Sequence, residues 1–163
     1  ADTNDVLPAI TYWLMGSLSF STSSIVWNLT IPMLSGILIL IFFSKYLNAL
    51  SLGDEEAKAL GVNTKLLKLI IILVATLISA LSVILAGIIG WIGLIIPHIT
   101  RLIFGADNKV ILPMSALIGA IFLLLVDNVS KLIFSFEIPI GIVTAIIGIP
   151  IFIFVLKNAK KGF

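Results

Sequence analysis

The chain alternates long apolar runs with short polar segments, and this pattern predicts an all-α protein. Runs of about twenty apolar residues have the length that an α-helix needs to cross a bilayer. We therefore predict a polytopic membrane bundle with four full spans. These spans lie at residues 25–44, 69–89, 110–130 and 138–156. Residues 1–24 hold a shorter apolar stretch with aromatic residues, which is typical of an interfacial helix followed by a loop.

Residues 90–109 interrupt the series of full spans. About thirteen apolar residues precede Gly105, too few for an ordinary crossing, and Pro97 lies in their middle. Irregular backbone at membrane depth is tolerated only where protein covers it or where it lines a water-filled cavity. We therefore predict a half-length, broken helix followed by a turn.

One polar segment, SLGDEEAKALGV at residues 51–62, predicts a short helix of about two or three turns. Ser51 and Asp54 have the spacing of a capping box, and further acidic residues follow in the first turn, where the helix dipole favours them. Gly61 is placed to end the helix in a left-handed cap. Two interpretations remain open from this pattern alone: a solvated surface helix, or a docking surface for a soluble partner.

The composition indicates an integral membrane protein. Of 163 residues, 60% are hydrophobic and only 11% are charged, about half the charged fraction of a typical soluble domain. The chain has no cysteine, which excludes disulfides and thiolate metal sites, and its net charge of +2 is too small to indicate nucleic acid. Its only histidine, His98, has no carboxylate at ligand spacing, so we interpret it as a buried, hydrogen-bonded residue. The opening ADTND suggests a chain cut from a longer one.

The distribution of basic residues predicts the orientation in the membrane. If the segment at 90–109 completes a crossing, nine of the ten Lys and Arg residues share one side, and only Lys131 lies opposite. If it turns back, they divide five and five. The positive-inside rule favours the first arrangement. The loop at 45–68 and the tail at 157–163 are then cytoplasmic, and the outer loop at 131–137 faces outward.

The motifs, taken in order, resemble the C-terminal half of a FecCD-type permease subunit. This family comprises type II ABC importers for iron-siderophores, haem and vitamin B12. The resemblance covers nearly the whole chain, and GWIGLIIPHITR followed by GADNK is its most specific part. Such subunits are about twice as long as this chain. The other matching segments are LPAITYWLMGSL, LGDEEAKALGV, LVDN and EIPIGIVTAIIGIPIFIFVLK.

The resemblance implies that the acidic helix is a coupling helix that docks into an ATPase subunit. The permease would then be no enzyme and bind no cofactor or metal itself, because the partner subunit uses the ATP. The positions that match the family's coupling helix are Gly53, Asp54, Glu55, Glu56, Ala57, Leu60 and Gly61.

The resemblance also implies further partners and a translocation path. A second permease subunit, an extracellular or periplasmic substrate-binding protein and the lipid bilayer are expected around a multi-pass protein of the bacterial inner membrane. Lys131 would contact the binding protein, or else snorkel to the interface as an ordinary lysine. The residues expected to line the path are Gly93, Pro97, Gly141 and Thr144, although helix packing explains the last two equally well.

The expected cargo is an iron chelate such as a siderophore or haem, or a related metal chelate or cobalamin. Two other classes stay open: a secondary transporter and a purely structural membrane bundle. A secondary transporter needs intramembrane charges, and the spans offer only Asp127, which we expect to face the bundle interior and pair with Asn128 or another helix. A structural bundle leaves the capped acidic helix unexplained.

Overall fold

The computed structural model describes residues 3–18, 21–132 and 138–159, and every regular element in these ranges is an α-helix. For residues 3–6, 8, 9 and 154–159 the backbone alone is described. The predicted outer loop at 131–137 and tail at 157–163 therefore lie largely outside the described residues. The helices are α1 Thr3–Met15, α2 Ser23–Phe42, α3 Ser44–Leu50, α4 Asp54–Ala59, α5 Thr64–Ala86, α6 Ile92–Phe104, α7 Asn108–Leu132 and α8 Ile140–Ala159.

Three helices, α2, α5 and α7, are long and apolar enough to cross a membrane, with 20, 23 and 25 residues. The backbone of α8 is helical over 20 residues, and its side chains are described as far as Ile153. The half-length helix α6 has 13 residues. The predicted all-helical membrane architecture is thus confirmed, with three spans established by length and hydropathy.

The interruption of the segment at residues 90–109 lies around Trp91, next to Gly87 and Gly90, and not at Pro97. Helix α6 continues through Pro97, and the irregular backbone lies before it, at residues 87–91. Gly87 and Trp91 both have positive φ angles, 67° and 68°. A proline removes one backbone hydrogen bond but does not end a helix whose other backbone bonds are kept, whereas left-handed residues turn the chain.

The bundle is held by close helix pairs. Helix α2 packs along α5, α7 packs along α6, and α8 contacts both α6 and α7. At the α2–α5 crossing, a Cβ added to Gly36 would lie 2.8 Å from Cγ1 of Ile78. Small residues allow helices to approach closely in membranes, where packing rather than hydrophobic burial drives association.

Much of the apolar surface of the bundle is uncovered. Ile31 of α2 is 75% exposed, and leucines and isoleucines along α5 and α7 are similarly open. Only seven hydrophobic residues among those described are buried. A domain folded in water would bury such a surface, so these faces are suited to lipid or to further protein.

Candidate functional site

The candidate site is the acidic helix α4, which is shorter than predicted and begins differently. It spans six residues, fewer than two turns. Its N-cap is Gly53, with a φ of 123°, and no side chain caps it. The predicted capping box is wrong because the Ser51 hydroxyl donates instead to the backbone carbonyl of Asn48 at 2.7 Å. That bond belongs to the end of α3, an additional helix that the apolar pattern concealed.

The C-terminal end of α4 confirms the predicted left-handed cap. Gly61 has a φ of 81°. Its N–H donates to the carbonyl of Lys58 at 2.8 Å, and the N–H of Val62 donates to the carbonyl of Ala57 at 3.0 Å. This pair of bonds is a Schellman motif, which satisfies carbonyls that the helix would otherwise leave without partners.

Helix α4 is fixed to the start of α5 on its inner face. Ala57 is 0% exposed. The carboxylate of Asp54 forms an ion pair with Lys68 Nζ, at 2.6 and 2.7 Å to its two oxygens. Each exposed ion pair of this kind stabilises by at most about 1 kcal/mol, so it orients α4 more than it stabilises the fold. The sequence suggested no role for Lys68, because it lies fourteen positions away.

The outer face of α4 combines negative charge with exposed leucines. The side chain of Glu55 is 84% exposed and is paired with Lys58 Nζ at 2.7 Å. That hydrogen bond and charge raise the pKa of the Lys58 ammonium above its ordinary value. Glu56 folds its carboxylate over Gly53 and has no ion pair within the described part of the chain. Leu52 and Leu60, before and after the helix, are each 66% exposed.

Helix α3 connects α4 to α7. It contacts both helices, and its Asn48 side chain reaches the turn that precedes α7. Asn48 Nδ2 donates to Asp107 Oδ1 at 2.6 Å, and Asn48 Oδ1 accepts from the N–H of Asn108 at 2.8 Å. Asp107 also accepts from the N–H of Lys109 at 2.9 Å. The bonds from Asn48 and Lys109, in that order, hold the pKa of the Asp107 carboxyl below its usual value.

Lys131 lies at the far end of α7 from this site. Its Nζ pairs with Asp127 at 2.7 Å, one turn earlier on the same helix, and its side chain is 44% exposed. The expectation that Asp127 pairs with Asn128 or another helix is therefore wrong, since the Asn128 amide donates to the Leu124 carbonyl within α7. Because lysine is long and flexible, it reaches a carboxylate one turn away more easily than a neighbouring amide does. The contact of Lys131 with a binding protein stays a prediction.

The four residues predicted to line a path lie in different surroundings. Gly93 borders a cavity of about 400 Å³ together with residues of α5, and no atom of the described residues lies within 4 Å of a Cβ placed on it. Gly141 borders a second cavity of similar volume beside Trp91. Thr144 is 1% exposed and donates to the Gly141 carbonyl at 3.0 Å. Pro97 is partly buried within α6. Their role in a path stays a prediction.

Among the described residues, no group of three or more His, Asp or Glu side chains is placed to hold a metal ion. His98 is partly buried on α6.

A family model described as the FecCD transport family matches residues 2–158. The chain belongs to this family. The resemblance seen in its motifs is thereby confirmed, and the match extends over nearly every element described above.

Individual relatives support the same family. The chain is 43% identical over 162 residues to the molybdate import system permease protein of Haemophilus influenzae, covering 99% of this chain and 48% of that protein. It is 39% identical over 156 residues to the cobalamin import system permease protein of Halobacterium salinarum, covering 96% of this chain and 42% of that protein. A solved metal-chelate type ABC transporter, in an inward-facing conformation, superposes with a TM-score of 0.91 at 42% identity, covering 97% and 51% of the two chains.

The chain thus spans about half the length of the relatives it matches. As a member of the FecCD transport family, this chain is a membrane protein of a transport permease family, and its long apolar helices agree with this assignment.

Proposed function

We propose that this chain forms the C-terminal half of the transmembrane permease subunit of an ABC importer. Family membership over residues 2–158 and the similarity to import permeases along the whole chain support this function. They also argue against a secondary transporter or a purely structural bundle. The cargo would be an iron chelate, or a related metal chelate, cobalamin or oxyanion such as relatives are named for.

In this proposal α4 docks into a groove of a separate ATPase subunit. The single observation that carries it is a short helix capped at Gly61, anchored through Ala57 and Asp54, with an outward face of acidic residues and leucines. A helix fixed to the bundle can transmit force, whereas a loose loop absorbs it. Glu56, which lacks an ion pair among the described residues, is suited to meet a basic side chain of the partner.

The remaining partners follow from the same proposal. A second permease subunit completes the path, and a substrate-binding protein docks at the Lys131 end. When residues 90–109 complete a crossing, nine of the ten basic residues share the side of α4. By the positive-inside rule this side of the bacterial cell membrane is the cytoplasmic one. ATP is hydrolysed by the partner subunit, and the permease has no catalytic residues of its own.

The test is capture of the ATPase subunit by the full-length permease in nanodiscs. The double variant Glu56→Lys, Gly61→Trp reverses a charge on the outer face and places a bulky side chain at a residue that requires a positive φ. We expect the native permease to retain the ATPase subunit and the variant to lose it.

Lys131→Glu is the matched control, since it reverses a charge near the C-terminal end of α7, about 35 Å along that helix from Asn108, which bonds to α3. It should retain the ATPase subunit and lose the binding protein, the reverse of the double variant. Equal retention of the ATPase subunit by the native chain and the double variant would place the interface elsewhere. No retention by any folded sample would refute the importer assignment.

A further inference from the structure

One amide side chain joins two helices that are distant in sequence. The Asn48 donor and acceptor are both used, by the Asp107 carboxylate and by the N–H of Asn108. The reverse orientation of the amide would place its NH₂ group against a backbone N–H, so these two bonds fix one orientation. The bond to Asp107 involves a charged acceptor, and such bonds are about twice as strong as neutral ones.

On one side of this bridge, α3 and α4 form a continuously hydrogen-bonded unit. The Ser51 hydroxyl donates to the carbonyl of Asn48 itself. The N–H groups of Leu52 and Gly53 donate to carbonyls of the last turn of α3, both at 3.2 Å. The connection between the two helices is therefore a tight turn, and a displacement of α4 displaces α3.

On the other side, Asp107 lies in the short turn that joins α6 to α7. Gly105, with a φ of 84°, ends α6, and its N–H donates to the carbonyl of Arg101 at 2.9 Å. The carbonyl of Asp107 accepts hydrogen bonds from the N–H groups of Val110 and Ile111 at 3.0 and 2.9 Å, so Asp107 is the N-cap residue of α7. Helix α6 in turn contacts α8. A force on Asp107 thus reaches the helices that border both cavities.

We propose that Asn48 is a positioning residue that transmits a displacement of α4 to the α6–α7 turn. This inference rests on the proposed docking of α4 and adds the route by which docking reaches the cavities. The ion pair of Asp54 with Lys68 holds α4 on α5, so a second connection keeps α4 in place when Asn48 is lost. Removal of Asn48 therefore uncouples α6 from α4 without releasing the docked partner.

The test uses the full-length permease with its ATPase subunit and needs no transported substrate. The chain contains no cysteine, so a thiol introduced by Gly93→Cys reports on the cavity beside α6. The measurement is the rate at which maleimide labels this thiol with and without ATP. We expect ATP to change the rate in the otherwise native protein, and Asn48→Ala to diminish that change about fivefold or more. The ATPase subunit should remain bound.

Conservative variants separate transmission from folding. Asp107→Ala should diminish the ATP-dependent change in labelling rate as Asn48→Ala does. Asp107→Asn should respond to ATP nearly as the native protein does, since an amide oxygen still accepts from Asn48 and Lys109. The double variant Asn48→Ala, Asp107→Ala should be no worse than either single change, as expected for two ends of one interaction. Asn128→Ala is the control, because among the described residues that amide bonds only within α7.

An ATP response in Asn48→Ala equal to that of the native protein would overturn the inference. Loss of the ATPase subunit from Asn48→Ala would also overturn it, since Asn48 would then act in docking itself. If the native permease does not bind the ATPase subunit, the proposed function fails together with the inference. Retained binding with an unchanged response in Asn48→Ala refutes the inference alone.

Discussion

At the scale of single residues, Gly141 is fixed by the backbone of another helix. A Cβ at this position would collide with the carbonyl oxygen of Met15 in α1, a backbone atom that cannot rotate away. Gly141 lies in α8, where alanine is otherwise favoured by up to about 1 kcal/mol. Overpacking costs about 1–3 kcal/mol and outweighs this gain. We therefore expect Gly141→Ala to lower the melting temperature in detergent.

Gly119→Ala in α7 is the matched control. There, of the atoms in the described ranges, a Cβ would meet only Cγ2 of Ile96 at 3.8 Å, an ordinary contact. The gain in helix propensity is then unopposed, and the melting temperature should rise. If both variants shift the melting temperature in the same direction, the close approach of Met15 to Gly141 does not limit the side chain that position 141 can carry.

Asp107 makes the fold sensitive to acid. Its pKa is lowered, first by the bond from Asn48 and then by the N–H of Lys109. A carboxyl whose folded pKa is lowered stabilises the fold above its unfolded value, about 3.9, and this contribution is lost as the pH falls through the folded pKa. The melting temperatures of the native protein and Asp107→Asn should therefore converge as the pH falls from about 5 through the folded pKa of Asp107. A difference between the two melting temperatures that does not change with pH would show that the charge of Asp107 does not stabilise the fold.

At the scale of elements, the cap of α4 depends on backbone conformation alone. Gly61 has a φ of 81°, and within the described part of the chain no atom lies within 4 Å of a Cβ placed there. Gly61→Ala should therefore cost about 1–2 kcal/mol for its left-handed conformation, with no steric term. The expected result is faster amide hydrogen exchange at Val62, whose N–H closes the cap. Gly61→Asn should exchange more slowly than Gly61→Ala, because asparagine tolerates this conformation. Equal exchange in all three proteins would contradict the cap.

The elements that the sequence predicted correctly are those determined locally. The long spans follow from hydropathy. The end of α4 follows from Gly61, because a left-handed cap favours glycine. Helix α3 escaped prediction because it follows α2 after a single non-helical residue, Phe43, and its seven residues are too few to show a clear helical period. The capping box failed because Ser51 was already used by α3. Asn48 carried no signal, since its partners lie about sixty positions away.

At the scale of the whole molecule, the described bundle has many charged groups at one end, few at the other, and uncovered apolar faces between them. The end with α3, α4 and the α6–α7 turn is rich in charged groups and local ion pairs. The other end carries the pair of Lys131 with Asp127. The apolar sides between them are much larger than a soluble monomer leaves uncovered. These open sides are suited to lipid or to further protein, and the chain spans about half the length of the relatives it matches.

The orientation of these two ends is the prediction that links the whole molecule to its proposed partners. If residues 90–109 complete a crossing, the sequence assigns nine of the ten basic residues to the α4 side, and the positive-inside rule then predicts that this end is cytoplasmic. A cysteine replacing Lys58, in a chain that has none, should react with a membrane-impermeant maleimide only after spheroplasts are opened. A cysteine replacing Thr22, an exposed residue just before α2, should react in intact spheroplasts. The opposite pattern would place α4 outside the cell, where no ATPase subunit could reach it, and would refute the docking proposal even if the family assignment stands.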